Sequence, residues 1–387
     1  MIDRRPHLVL FLTRRMSLKT WHELGTLDRE LAVYRRLLDR GIRVSIVSYG
    51  GGRRERDLIR DLPEFDVACN HRRLPRRVYE LAIPWLHHRL LASATVIKTN
   101  QMNGAQFAIA AARRFDKPLI ARCGYLWSST EATNHGRDSA MARHAAEIEA
   151  AVWPAASRIV VTTEAMAAHI KQRFPAAISR LHIIPNVVDT DLFSPRPADA
   201  AEYDFVFVGR LAPEKNVAAL LEAVEGVPGR LLIIGGGSEQ AAWQRRYAHL
   251  GDRVAWIPQV PNAQLPRYLT AAKALVLPSL YEGHPKVAVE AMACGLPVIG
   301  SDVAGIRDLV VPHKTGLLCG TSADEIRRTL LRIANDQPLR QRLGAEARRV
   351  ALAQFSLDRA ANLEGALIAE LSNSELAAHY ATPRQAA

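Results

Sequence analysis

Short apolar runs alternate along the chain with longer stretches in which apolar residues recur every three or four positions. The run His7–Leu12 predicts a buried strand, followed by a loop through Gly25. Leu27, Leu31, Tyr34 and Leu38 then share one face of a predicted helix that Gly41 stops, and Val44–Ser48 is the next strand. Further strand-like runs are Thr95–Lys98, Pro118–Ala121, Arg158–Val161 and His182–Pro185. The second half repeats the pattern with Asp204–Val208, Leu231–Ile234, Val254–Ile257, Ala274–Leu277, Pro297–Gly300 and Gly316–Cys319. Strands that alternate with helices imply parallel sheets covered on both faces. The predicted fold class is therefore α/β, with two Rossmann-like doubly wound domains facing each other across a ligand-binding cleft.

The chain has 387 residues, too many for one core at roughly 150 residues per domain. Asn186–Tyr203, rich in Pro and Asp and without periodicity, reads as the linker. The expected parts are an N-terminal domain over 1–195, a C-terminal domain over 196–355, and a final helical segment over 356–387. That last helix is expected to cross back toward the N-terminal domain, with a disordered tail at Pro383–Ala387. Cys69, Cys123, Cys294 and Cys319 have no metal-ligand spacing and read as buried thiols in a reducing compartment. No metal site is expected. The apolar runs are too short for a membrane span or a signal peptide, which predicts a cytoplasmic protein.

Charge divides the halves. Residues 1–195 hold 30 Lys+Arg against 19 Asp+Glu, and the remainder 21 against 20, so nearly all of the net +12 lies in the first half. The excess clusters at Gly51–Arg60 and His71–Leu90. In the second cluster Leu74, Val78, Leu81 and Trp85 recur at helical spacing among Arg72, Arg73, Arg76, Arg77 and Arg89. That pattern suits docking onto an anionic membrane surface, and equally a helix packed on its own sheet and kinked at Pro84. Binding to nucleic acid is disfavoured, because the basic residues are not interleaved with stacking aromatics.

Two segments carry candidate chemistry. In Val208–Asn216, VGRLAPEKN, a strand ends, Gly209 permits a tight turn, and Arg210 and Lys215 flank Pro213-Glu214. Two cations at a strand-to-helix turn suit a diphosphate; a solvated loop with a local Glu214 ion pair is the other reading. In Pro278–Gly305 the loop SLYEGH runs into a helix with Pro285 placed for its first turn. The loop and helix start aim backbone N–H groups at any anion there. Glu290 sits among Val287, Ala288, Val289, Ala291 and Met292, so its carboxylate must find a partner or a ligand.

Glu282 and Glu290, with seven residues between them, resemble the E-x7-E motif of retaining glycosyltransferases of the GT-B fold, family 4 (GT4). EGHP…EAMACGLPVIGSDVAG, VGRLAPEKN and IIPNVVDTDLFSP resemble that family's donor-site segments, almost continuously through about 150 residues of the second half. The first half resembles it in layout alone. The resemblance implies a nucleotide-sugar donor, no cofactor, and a glycan or lipid-linked acceptor of bacterial surface polysaccharide or glycolipid assembly. It implies that Arg210 and Lys215 neutralise the donor diphosphate and that Glu290 accepts from the ribose hydroxyls. Glu282, with the backbone of Gly283, His284, Pro285, Lys286 and Val287, would meet the sugar and phosphates. Pro258 and Val260 would face the base, and Gly209 and Gly25 would let backbone approach the donor. A basic N-terminal domain in this family implies a peripheral enzyme of the inner leaflet.

Several positions depart from the family. Its linker Asn-Gly is Asn186-Val187 here. Where many members carry a histidine after the strand that here reads PLIARCGYLW, this chain has Arg122, Cys123, Gly124 and Tyr125, leaving His135 or Arg122 as the candidate acceptor-side residue. Asp189-Thr190-Asp191 mimics a cation-binding DxD but lies in the linker. GGGS at Gly235–Ser238 reads as either a ligand approach or a turn. An epimerase or a sugar phosphorylase of the same fold is the alternative activity.

Overall fold

The structure, a computed structural model, describes residues 5–196 and 201–372; the expected disordered tail lies outside them. The described residues of Met1–Ile184 and Asp358–Ala387 make one compact unit, and those of Pro185–Leu357 make the other.

In the first unit the strands are β1 (His7–Phe11), β2 (Arg43–Val47), β3 (Asp66–Ala68), β4 (Val96–Thr99), β5 (Leu119–Cys123), β6 (Arg158–Val161) and β7 (Leu181–Ile183). They form one parallel sheet in the order β3-β2-β1-β4-β5-β6-β7. Every residue of β1 is buried, and Leu8 lies between Val44 on one side and Val96 on the other. A continuous apolar run is what a central parallel strand needs, since helices cover both of its faces. The order of strands turns between β1 and β4, so the loops after them diverge there.

The second unit holds β8 (Tyr203–Val208), β9 (Leu231–Ile234), β10 (Val254–Ile257), β11 (Ala272–Leu277), β12 (Val298–Ser301) and β13 (Gly316–Cys319). Its sheet is parallel in the order β10-β9-β8-β11-β12-β13, turning between β8 and β11. Each strand expected from the apolar runs lies within two residues of its place. The periodicity missed β3, a three-residue edge strand, and the helix Leu18–Glu23, which fills what read as a loop before Gly25. Ser17 caps that helix by accepting from Thr20 N.

The break between the units falls at residue 184, not 195. The segment read as a linker begins inside the second unit because its residues are spent there. Val188 bridges Ser356, Phe193 is buried, and Asn186 Nδ2 donates to His284 O across 2.7 Å. Asp189 Oδ1 accepts from Asp191 N and Leu192 N, so the DxD look-alike closes a turn.

The helix Leu357–Leu371 belongs, from Asp358 onward, to the first unit. Arg40 pairs with Asp358, Arg158 with Glu370, and Lys98 of β4 with Glu364. This last pair is buried, with the Lys98 and Glu364 side chains 1% and 7% exposed, and the Tyr34 ring centroid stands 5.0 Å from Lys98 Nζ. Burial lowers the Lys98 pKa against the attraction of Glu364. Among the described residues no helix is long and apolar enough to cross a membrane.

Candidate functional site

The candidate site lies at the carboxyl ends of β8, β9, β10 and β11 and is described within the second unit. After β8 the chain turns at Gly209 and passes through a short 3-10 turn, Pro213–Lys215. It enters the helix Val217–Glu225 through Asn216, whose φ of 53° is left-handed. Asparagine tolerates that conformation, and here its amide is used as well. Asn216 Nδ2 donates to Pro278 O (3.1 Å) and Thr321 O (2.8 Å), pinning this loop to those after β11 and β13. Leu280 N adds a bond to Glu214 O at 2.9 Å.

These ties bring Lys215 and Glu282 together. Lys215 Nζ donates to Glu282 Oε1 at 2.5 Å, and Ser279 Oγ donates to the same oxygen at 2.8 Å. Both charged side chains are largely covered, at 20% and 11% exposure. Arg210 is different. Its guanidinium is 77% exposed and donates to Glu214 Oε1 at 2.7 Å, the local ion pair that the loop's spacing allowed. Both cations are thus held by carboxylates.

Glu290 lies in the helix Lys286–Ala293 and is 2% exposed. Asn262 Nδ2, from the segment after β10, donates to its Oε1 at 2.8 Å. The buried carboxylate therefore has its partner, and the partner comes from the loop that carries Pro258 and Val260. Pro258 is exposed and Val260 half-buried. Pro285 is the residue just before the helix rather than in its first turn, and it gives no side-chain cap to the N–H groups at Lys286 and Val287. The His284 ring is buried edge-on against Phe355 at 5.7 Å, which leaves its backbone, beside Gly283, to line the loop.

Glycines set how closely the loops pack. A Cβ on Gly235 would lie 2.0 Å from Gly209 O, and one on Gly237 2.2 Å from Leu211 O. The GGGS segment thus makes room for the backbone of the Arg210 loop, with Gly209 N bonded to Ile234 O and Leu211 N to Gly236 O. A Cβ on Gly305 would meet Gly283 O at 2.0 Å and Glu282 O at 2.4 Å, so that glycine seats the Glu282 loop.

Gly25, Arg122 and His135 belong to the first unit. Gly25 has φ 63° and its N–H donates to His22 O, closing the end of the helix Leu18–Glu23. Arg122 is on β5 and half-buried. His135 ends the helix Trp127–His135, with Nε2 3.5 Å from Glu131. Sequence reasoning missed Asn262, Ser279 and Asn216. The last had a signal, a polar residue that tolerates positive φ at the end of VGRLAPEKN; the other two had none.

Residues 189–350 match the family model described as Glycosyl transferases group 1, and residues 31–192 match Glycosyltransferase Family 4. The D-inositol 3-phosphate glycosyltransferase of Mycobacteroides abscessus is 35% identical over 187 residues, 44% of this chain and 42% of that protein. The match therefore spans less than half of that relative. The enzyme of the same name from Xylanimonas cellulosilytica is 29% identical over 71% of each chain. A putative teichuronic acid biosynthesis glycosyltransferase, TuaC of Bacillus subtilis, is 33% identical over 39% of this chain and 38% of its own. Among solved structures, sucrose-phosphate synthase from Thermosynechococcus elongatus superposes with a TM-score of 0.77 at 23% identity, covering 95% of this chain and 99% of that one. Anabaena HepE in complex with UDP and glucose superposes at 0.73 with 18% identity, covering 94% and 99%. These likenesses give the fold as GT-B. With one family model matching each half, the chain belongs to the GT4 glycosyltransferases.

Proposed function

We propose that the protein is a retaining, metal-independent glycosyltransferase that moves a hexose from a UDP- or GDP-sugar to a glycan or lipid-linked acceptor of bacterial surface polysaccharide or glycolipid assembly. The observation that carries this reading is the Lys215–Glu282 pair at 2.5 Å, in one unit with a buried Glu290 that Asn262 orients. On donor binding Lys215 and Arg210 exchange their carboxylate partners for the diphosphate, which is also the leaving group. Cations fixed where negative charge develops supply a large part of such catalysis. Glu282, released from Lys215, accepts from hydroxyls of the transferred sugar, and Glu290 accepts from the ribose hydroxyls.

The reading takes the reaction as front-side attack. The acceptor oxygen bonds to the anomeric carbon on the face from which the phosphate departs, and the acceptor proton passes to the leaving phosphate oxygen. No cofactor is invoked. The site of action is the cytoplasmic face of the cell membrane, where a lipid-linked acceptor is presented.

The test is incubation with a panel of nucleotide sugars, thermal shift for binding, and assay of released nucleoside diphosphate with added acceptor extracts. Release of diphosphate together with an axial or equatorial product linkage matching the donor supports retention. Turnover only with added inorganic phosphate would instead indicate a phosphorylase. Activity abolished by EDTA and restored by manganese would overturn metal independence.

A further inference from the structure

Two stretches of chain join the units, and both enter the second unit beside the loop after β11. One arrives at Pro185 and the other leaves after Leu357. Inside the second unit they run together, with Val188 bridging Ser356 and Val188 N donating to Phe355 O at 2.9 Å. Each of them also touches His284, which follows Glu282 and Gly283 in the loop. Asn186 is 8% exposed, and its Nδ2 donates to His284 O at 2.7 Å. The Phe355 ring stands edge-on to the His284 ring, with 75° between planes and 5.7 Å between centroids.

The rest of that loop is held by other means. Lys215 and Ser279 donate to Glu282 Oε1, and Gly305 leaves room for the carbonyls of Glu282 and Gly283. Glu290 and Asn262, the pair set against the nucleoside, lie on the following helix and after β10. His284 is therefore the point at which the two connecting stretches bear on the sugar-facing part of the loop. The bond from Asn186 also has a direction. A buried carbonyl left without a donor destabilises the loop that carries it. A carboxylate of the same shape as the Asn186 amide offers acceptors alone and would repel His284 O.

We infer that Asn186 and Phe355 are positioning residues for the transferred sugar. They fix His284, and through it the turn at Glu282 and Gly283, from the segments that join the units. The inference takes its ligand from the proposed transferase activity, while the mechanics of the loop stand apart from that reading. Its consequence is selective. Loosening His284 lets the sugar-facing turn move and leaves the nucleotide on Lys215, Glu290 and Asn262. The sugar's contribution to binding then falls, and that of the nucleoside diphosphate stays. A side chain needed merely for packing would weaken both alike.

The experiment has two arms, both on the full chain. The first follows hydrogen exchange at residues 279–284 without ligand, with β8 and β9 as the internal reference. Asn186→Ala should speed exchange in the loop by about tenfold and leave β8 and β9 unchanged. Asn186→Asp should exceed it, and Phe355→Leu should give about threefold. The second arm titrates UDP and GDP against UDP-glucose, UDP-galactose, UDP-N-acetylglucosamine and GDP-mannose. For the nucleotide that the wild type binds, Asn186→Ala should keep the nucleoside diphosphate within about twofold and weaken the sugar-bearing form about tenfold. An unchanged loop in both Asn186 variants, or a rise shared by β8 and β9, overturns the inference. So does Asn186→Asp matching the wild type, or an equal loss of nucleoside diphosphate and nucleotide sugar. If none of these nucleotides binds the wild type, the transferase reading fails and the exchange arm still decides this one.

Discussion

Asn262 Nδ2 donates to Glu290 Oε1 at 2.8 Å and so fixes the rotation of a carboxylate that is 2% exposed inside an otherwise apolar helix. A carboxylate offers about four acceptor sites, and Asn262 Nδ2 fills one of them.

Glu290→Ala should abolish donor binding and leave the fold intact. A donor at 100 times its Kd raises stability by about 2.7 kcal/mol, which thermal shift reads directly. Asn262→Ala should weaken the donor by roughly tenfold, the worth of one hydrogen bond to a charged group. A normal donor shift in Glu290→Ala would remove that residue from the site.

Lys215 and Arg210 should not be equivalent. Lys215 is covered and paired across two loops, while Arg210 is mostly in water. Lys215→Ala should lower kcat/KM on the order of 10²–10³-fold, the cost of removing one fixed stabiliser of developing charge. Arg210→Ala should cost less, about tenfold, because solvent screens it. Steady-state kinetics with the donor found by screening separates the two.

Glu364→Ala should strip Lys98 of its counter-charge inside the first unit and destabilise it by about 3–5 kcal/mol. The double change Lys98→Met with Glu364→Leu should recover most of that loss, since an apolar pair of similar volume suits the site. Urea denaturation of the three proteins decides it. A single variant as stable as the wild type would contradict the buried pairing.

Acid should weaken the first unit through His87. Burial, with the nearby His71, pushes its pKa from 6.5 down to about 4, and Nε2 sits 3.1 Å from Tyr79 Oη. Between those values the unfolded chain takes up a proton that the folded protein refuses. The contribution is therefore fully present above pH 6.5 and is lost as pH falls toward 4, by roughly 1–2 kcal/mol for a ring that keeps some contact with water. His87→Gln should flatten that part of the pH profile of urea midpoints; an unchanged profile would assign the acid sensitivity elsewhere.

The second unit was open to reading because its chemistry is local. Gly209, Arg210 and Lys215 lie within one turn, and Glu282 and Glu290 within one loop and helix. What stayed hidden was set by loop shape or by distance along the chain. Asn262 meets Glu290 across 28 residues, and Ser279 meets Glu282 only because the loop folds back. Lys98 and Glu364 are 266 residues apart, beyond any periodicity. Glu55 lies in the basic run Gly51–Arg60, where the sequence singled out only the positive charge. It is instead fully buried, accepting from Leu18 N and Lys19 N at the start of the helix that the hydrophobic pattern did not find. The first half's stripe had two readings from spacing alone, because an outward and an inward apolar face have the same period.

The placement of the helix Leu357–Leu371 bears on how the protein is made. A ribosome releases Pro185–Leu357, a whole unit, before the residues that complete the other one exist. The portion translated first is thus finished last. Until Glu364 emerges, Lys98 lacks its counter-charge and the first unit cannot complete its fold.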